Sequence, residues 1–164
     1  MTRHKLAPPK SGVIKVDEHL CLECRQCELA CSLYHERECN PHLSRIHVKF
    51  DDFAPEFPTI EICRQCDQPE CYYACTSLHK EAAIYIDSKT GARAIDDGKC
   101  VGCGACVKAC PFMPSTEIIS FKEVKGKKIY YKCDLCKDRA EGPICVEFCP
   151  SSALIFVSAI ERVK

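Results

Sequence analysis

The chain has 164 residues, with 23 basic and 23 acidic side chains that balance to a formal charge of zero, no tryptophan and 17 cysteines. That length covers one ordinary domain or two very small ones, and the balanced charge, without a basic block or groove-reading helix motif, excludes a nucleic-acid footprint. The longest apolar run, Ala153–Ile160, is far short of the ~20 residues a membrane-crossing helix needs.

Residues 1–12 carry Arg3, His4, Lys5 and Lys10 around Pro8 and Pro9 and read as a flexible basic tail. They contain neither an apolar export segment nor a twin arginine, so the expected setting is the reducing cytoplasm, where cysteine arrays bind metal rather than form disulfides. Val13–Val16 is strand-like and delivers the chain to a first cysteine quartet, Cys21, Cys24, Cys27 and Cys31, with a short helix over Cys27–Leu33. Cys39, followed by Asn40–Pro41, lies outside any quartet and reads as a plain reduced cysteine. Phe50–Ile62 combines Phe53, Pro55, Phe57 and Pro58 with four acidic residues; it reads equally as a docking segment and as a linker draped over a metal site. Phe112–Met113–Pro114, beside Cys110, reads the same two ways.

Thr59–Ile62 is a second strand-like run, ahead of Cys63, Cys66, Cys71 and Cys75, with a helix predicted over Glu70–Ser77. Ala83–Asp87 and Ala92–Ile95 flank Ser88–Lys89–Thr90–Gly91 as a hairpin that feeds Cys100, Cys103, Cys106 and Cys110, where Cys106–Pro111 is helical. Ile118–Val124 and Lys128–Tyr131 repeat the hairpin around Lys125–Gly126–Lys127 before Cys133, Cys136, Cys145 and Cys149; a helical piece at Ile144–Phe148 and a strand at Ala153–Val157 follow. The unit of strand, cysteine loop and short helix thus recurs four times, at intervals too irregular for a solenoid.

Sixteen cysteines in four quartets are the ligand set for four 4Fe–4S clusters. The first and third read CxxCxxCxxxC without interruption, the spacing by which a bacterial ferredoxin loop gives three thiolates to one cluster and sends its fourth to a neighbour. Tetrahedral zinc is normally held by two separated CxxC pairs, and three closely spaced thiolates would crowd one small ion. The second quartet widens its middle gap to four residues around Pro69 and the fourth widens it to eight. A cluster lost there would leave three. Thiolate ionisation would bring a fully loaded chain to about −8, which the basic residues partly offset. The histidines, His4, His19, His35, His42, His47 and His79, show no ligand spacing, and no GxGxxG, Walker loop or Ser–His–Asp set is present.

The stretches AIYIDSKTGARAIDDGKCVGCGACVKACPF and KCDLCKDRAEGPICVEFCPSSALIF resemble the four-cluster ferredoxin-like subunits that accompany molybdenum or tungsten pterin oxidoreductases, over residues 13 to 159. The opening CRQCELACSLYHERECNPHLSRI resembles most the small subunits found with tungsten aldehyde oxidoreductases and benzoyl-CoA reductases. The resemblance implies an α+β fold of two pseudo-symmetric ferredoxin-like units, one inserted in the other: residues 13–50 with 126–164 outside, and 51–125 within. It implies that Cys149 joins Cys21, Cys24 and Cys27; Cys31 joins Cys133, Cys136 and Cys145; Cys110 joins Cys63, Cys66 and Cys71; and Cys75 joins Cys100, Cys103 and Cys106. Cys31–Ser32 and Cys75–Thr76 depart from the family's Cys–Pro, but proline fixes a turn and does not ligate. The expected role is electron transfer without catalysis by the chain alone, the partner being a larger catalytic subunit with a tungsten or molybdenum pterin, with further electron-carrier subunits possible. A freely diffusing polyferredoxin and a zinc-stabilised scaffold are the alternatives.

Overall fold

The computed structural model describes residues 8–50, 58–113 and 117–162. Among these, strands pair two by two into four antiparallel ribbons instead of one sheet. The first joins the two ends of the chain: β1 (Val13–Val16) lies against a strand at Leu154–Val157, with Ile14 opposite Phe156 and Val16 opposite Leu154. Period-two alternation turns Ile14 and Leu154 inward and leaves Lys15 and Ile155 facing out.

The second ribbon pairs β2 (Ile46–Lys49) with β3 (Thr59–Ile62), placing Ile46 beside Ile62 and Val48 beside Ile60, all four buried. The strand at Ile46–Lys49 was not expected from the sequence. β4 (Ile84–Ile86) and β5 (Arg93–Ile95) form the expected hairpin. Its turn is closed by the Asp87 carboxylate, which accepts from the backbone N–H groups of Lys89 and Thr90 at 3.1 and 2.7 Å. β6 (Ile119–Val124) and β7 (Lys127–Lys132) meet at a two-residue turn, Lys125–Gly126, in which both φ angles are positive. Such a turn matches the twist of the strands it joins. β8 is the strand Leu154–Val157 already described. The unit boundaries expected at 50/51 and 125/126 fall in the connections of the β2–β3 and β6–β7 ribbons, so each ribbon has one strand on either side.

The helices are α1 (Gln26–Glu36), α2 (Glu70–Leu78), α3 (Ala105–Ala109) and α4 (Ile144–Glu147). α1 runs three residues beyond the expected Leu33 and stops at Arg37, whose left-handed backbone (φ 61°) lets its N–H close on the Leu33 carbonyl. α2 and α4 start directly after Pro69 and Pro143, where a missing N–H costs nothing. α1 packs on α4, and α2 on α3. The two apolar cores follow this pairing. One contains Ile14, Ile46, Ile60, Ile62 and Leu154 together with Cys31, Cys133 and Cys145; the other contains Ile84, Ile118, Ile119 and Ile129 together with Cys75, Cys100, Cys106 and Cys110. Of residues 1–12, the described part ends in buried Ser11 and Gly12; the aromatic and proline residues Phe53, Pro55 and Phe57, and Pro114, lie outside the described residues.

Candidate metal centres

Each cysteine loop turns on one backbone device. The residue before the second cysteine is left-handed in all four: Glu23 (φ 59°), Gln65 (φ 48°), Gly102 (φ 76°) and Leu135 (φ 61°). Only Gly102 announces this in the sequence, because non-glycine residues adopt the conformation at a cost of order 1–3 kcal/mol. Its left-handed turn curls the loop so that backbone N–H groups can converge on a concavity, as anion-binding loops do.

After the loop, the third and fourth cysteines stand four residues apart, on or just beyond a helix: Cys27 and Cys31, Cys71 and Cys75, Cys106 and Cys110, Cys145 and Cys149. That spacing puts both thiols on one helix face. With the helices packed in pairs, the third thiol meets its own loop and the fourth meets the loop of the partner helix. One cavity is lined by Cys21, Cys24, Cys27 and Cys149, and another by Cys75, Cys100, Cys103 and Cys106. The thiols of Cys66 and Cys71 are electrostatic neighbours of Cys63 and Cys110. Cys145 has Cys133, Cys31 and Cys136 around it in the same way. Cys39 stands apart from these neighbourhoods, exposed beside Leu29, Leu33 and Phe148.

Burial pushes the thiols of Cys27, Cys106 and Cys136 up to about 12 and that of Cys71 to about 11. Those of Cys133 and Cys145 are raised well above the ordinary thiol value, again by burial first and by neighbouring thiols second. Metal binding must displace these protons. Backbone N–H groups donate to sulfur, among them Arg45 to Cys31 Sγ at 3.3 Å, Tyr130 to Cys100 Sγ at 3.4 Å and Leu135 to Cys133 Sγ at 3.4 Å.

Side chains that the sequence does not connect also gather here. His35 Nε2 lies 3.6 Å from Cys136 Sγ and 3.5 Å from Asp134, and burial, then the charge of Arg45, lowers its pKa to about 4. His79 Nε2 is 3.4 Å from Cys103 Sγ. Separations of 101 and 24 residues explain why histidine spacing gave no hint of either contact. Between the second and fourth loops, Gln65, wholly buried, donates from Nε2 to the Cys133 carbonyl at 2.7 Å and accepts the Arg93 N–H at 2.8 Å. Lys132 Nζ reaches the carbonyls of Arg93 and Cys133 and comes within 3.5 Å of Cys63 Sγ.

The residues fit iron–sulfur clusters. Two cavities each bring four thiols together, Cys31, Cys100 and Cys133 already receive N–H donors at sulfur, and the buried Nε and Nη2 of Arg93, electrostatic neighbours of Cys63 and Cys66, have no acceptor among the described residues. Cluster sulfur supplies such an acceptor.

Comparison with known proteins agrees. Residues 56–159 match the 4Fe-4S dicluster domain and residues 18–34 the 4Fe-4S binding domain. The chain is similar to the polyferredoxin-like subunit of the aliphatic sulfonate oxidoreductase of Pyrococcus furiosus, at 40% identity over 79% of this chain and 66% of that one. It is also similar to the electron transport protein HydN of Escherichia coli, at 32% identity over 88% of this chain and 86% of HydN. Among solved structures, the active site complex BamBC of benzoyl coenzyme A reductase with zinc matches at a TM-score of 0.45 and 22% identity, over 89% of this chain and 77% of that chain. An overlap that loose fixes no detail of function.

Proposed function

The chain belongs to the 4Fe-4S dicluster family, binds several 4Fe–4S clusters in ferredoxin-like domains, and from that premise we propose that it is an electron-transfer subunit carrying single electrons through four such clusters. Its partner on this reading is a larger catalytic subunit with a tungsten or molybdenum pterin, and the chain by itself is not a catalyst. When bound, a 4Fe–4S cluster supplies one-electron oxidation and reduction at a potential set by charge, hydrogen bonds to sulfur and exposure. The chain supplies everything else: sixteen thiols, the N–H donors and the order of the sites.

One observation carries the reading. The proposed groups form a series: Cys27 is an electrostatic neighbour of Cys145, Cys133 of Cys63, and Cys106 of Cys71, so each group has a ligand near the next. Cys24 and Cys103, in the two end groups, are the exposed ligands. Each sits beside a bare apolar side chain: Leu22, 65% exposed, and Val101, 53% exposed. Apolar surface of this kind is suited to a protein partner that brings its own redox group close. The proposed ligand sets are Cys21, Cys24, Cys27 with Cys149; Cys31 with Cys133, Cys136, Cys145; Cys63, Cys66, Cys71 with Cys110; and Cys75 with Cys100, Cys103, Cys106. The relative named as an oxidoreductase subunit supports a catalytic partner, and the opening cysteine segment supports a tungsten pterin in it.

Anaerobic purification from the native source, with iron, sulfide, tungsten and molybdenum analysis, tests this. The expected outcome is about 16 irons per chain and a co-purifying larger subunit with a pterin metal. Isolation of the chain alone, brown and loaded, supports the diffusing polyferredoxin instead; a colourless protein with stoichiometric zinc overturns both. For the ligand sets, Cys110→Ser should perturb the signal of the site held by Cys63, Cys66 and Cys71 and spare that of Cys100, Cys103 and Cys106.

A further inference from the structure

Two cations are buried against the second quartet without a carboxylate partner. Lys132 is 2% exposed and Arg93 1% exposed. Among the described residues neither has a carboxylate within salt-bridge distance, and nearby Asp67 is held by Arg162 at 2.9 Å. Lys132 Nζ is bound by two backbone carbonyls and faces Cys63 Sγ at 3.5 Å. Arg93 spends Nη1 on the Gly91 carbonyl at 2.7 Å, while its Nε and Nη2 have no acceptor among the described residues. A buried charge is retained only when something neutralises it. The anions within reach of this pair are mainly the thiolates of Cys63, Cys66 and Cys71, with Cys133 beside Lys132 and Asp67 near Arg93.

The other three groups lack this arrangement. Around Cys27, the nearest basic residue, Arg25, is half exposed and lies 3.9 Å from Glu28, which is itself buried. Around Cys136, the Arg45 guanidinium is already paired with Glu36 and Asp134, at 3.5 and 3.3 Å. Lys99, beside Cys100, is exposed. Cys31, Cys100 and Cys133 receive neutral N–H donors at sulfur; the second quartet faces two full charges in a place solvent does not reach.

Resting on the ligand sets proposed above, we propose that Lys132 and Arg93 are positioning residues that make the site of Cys63, Cys66, Cys71 and Cys110 the highest-potential site of the four, so that a single electron entering the chain settles there. Adding one electron makes a cluster one unit more negative, and a fixed buried cation stabilises that state more than the oxidised one. The polar hub of Gln65 holds both cations in place, because its side chain ties the Arg93 N–H to the Cys133 carbonyl next to Lys132.

The test is a redox titration of the loaded protein, followed by electron paramagnetic resonance. Cys66→Ser and Cys110→Ser first identify the signal of this site: alteration of one and the same signal upholds the ligand set, and alteration of two different ones defeats that set rather than the charge argument. In the unaltered protein this signal should be the first to appear on reduction; if another precedes it, the inference is overturned. Lys132→Gln, which keeps an N–H donor but removes the charge, and separately Arg93→Gln should each shift the reduced-to-oxidised ratio of that signal about tenfold towards the oxidised form, which for one electron is about 59 mV. Iron and sulfide content should stay at the parental level, and the shift should persist in high salt, since mobile ions do not screen buried charges well. Unchanged potentials in a loaded variant, or a shift in a different signal, overturn the inference.

Discussion

At the scale of single residues, the loops depend on four left-handed positions of which glycine fills one. Gly102 has no room for a side chain: a Cβ there would stand 2.5 Å from the Lys128 carbonyl oxygen, a backbone atom of β7. Gly126, in the β6–β7 turn, has the same sign of φ but nothing within 4 Å. Gly102→Ala should therefore destabilise by about 1–3 kcal/mol beyond Gly126→Ala, which bears only the left-handed strain of about 1–2 kcal/mol. Denaturant unfolding of both loaded variants measures this, and Gly102→Ala alone should lose iron from the third quartet. The thiols add a proton prediction. Because burial lifts Cys27, Cys106 and Cys136 to about 12, they are protonated at neutral pH in the metal-free chain. Ligation needs thiolates, so loading releases protons and weakens as the pH falls. Anaerobic reconstitution in weak buffer should acidify the solution; an unchanged pH would mean that the thiolates form before metal arrives.

At the scale of elements, the helices pack in two pairs, α1 on α4 and α2 on α3, the pairing that the proposed sharing of fourth thiols requires. The β1–β8 ribbon then fixes α4, because Leu154 follows Cys149 after a short turn and locks opposite Val16. Ile14, 3% exposed in the middle of β1, holds this closure. Ile14→Ala should cost about 2–5 kcal/mol. Its first spectroscopic effect should fall on the cavity of Cys21, Cys24, Cys27 and Cys149, the one that needs both chain ends. Iron content and thermal melting of the loaded variant check this. The hairpins at Ile84–Ile95 and Ile119–Lys132 were legible because Gly91 and Gly126 punctuate them and β-branched residues flank them. The strand Ile46–Lys49 was not, since the alternation of Ile-His-Val-Lys runs for only four residues and its partner, Thr59–Ile62, lies well along the chain.

At the scale of the whole molecule, the two cores interleave cysteines with isoleucines and few other apolar residues. So few apolar residues per core cannot stabilise a domain of this size without metal. Removing the clusters with chelator and oxidant should therefore abolish the cooperative thermal transition seen by circular dichroism, while a structure that still melted cooperatively would show the apolar cores to be sufficient. A network spanning the chain reinforces the assembly: Arg45 binds Glu36 and Asp134, and Lys122 binds Glu36 at 2.7 Å and Asp97 at 3.0 Å. The sequence by itself determined the type of ligand, the spacing of three thiols in each loop, most hairpins and the short helices, because all of these depend on residues within a few positions of one another. Only the tertiary structure decided that Cys149 lines the cavity of Cys21, Cys24 and Cys27 and Cys75 that of Cys100, Cys103 and Cys106, that His35 and His79 lie against cysteine sulfur, and that Arg93 and Lys132 are buried. In the strands Arg93–Ile95 and Lys127–Lys132 a basic residue reads as solvent-facing, and its burial follows from loops 28 to 69 residues away that the fold brings against it.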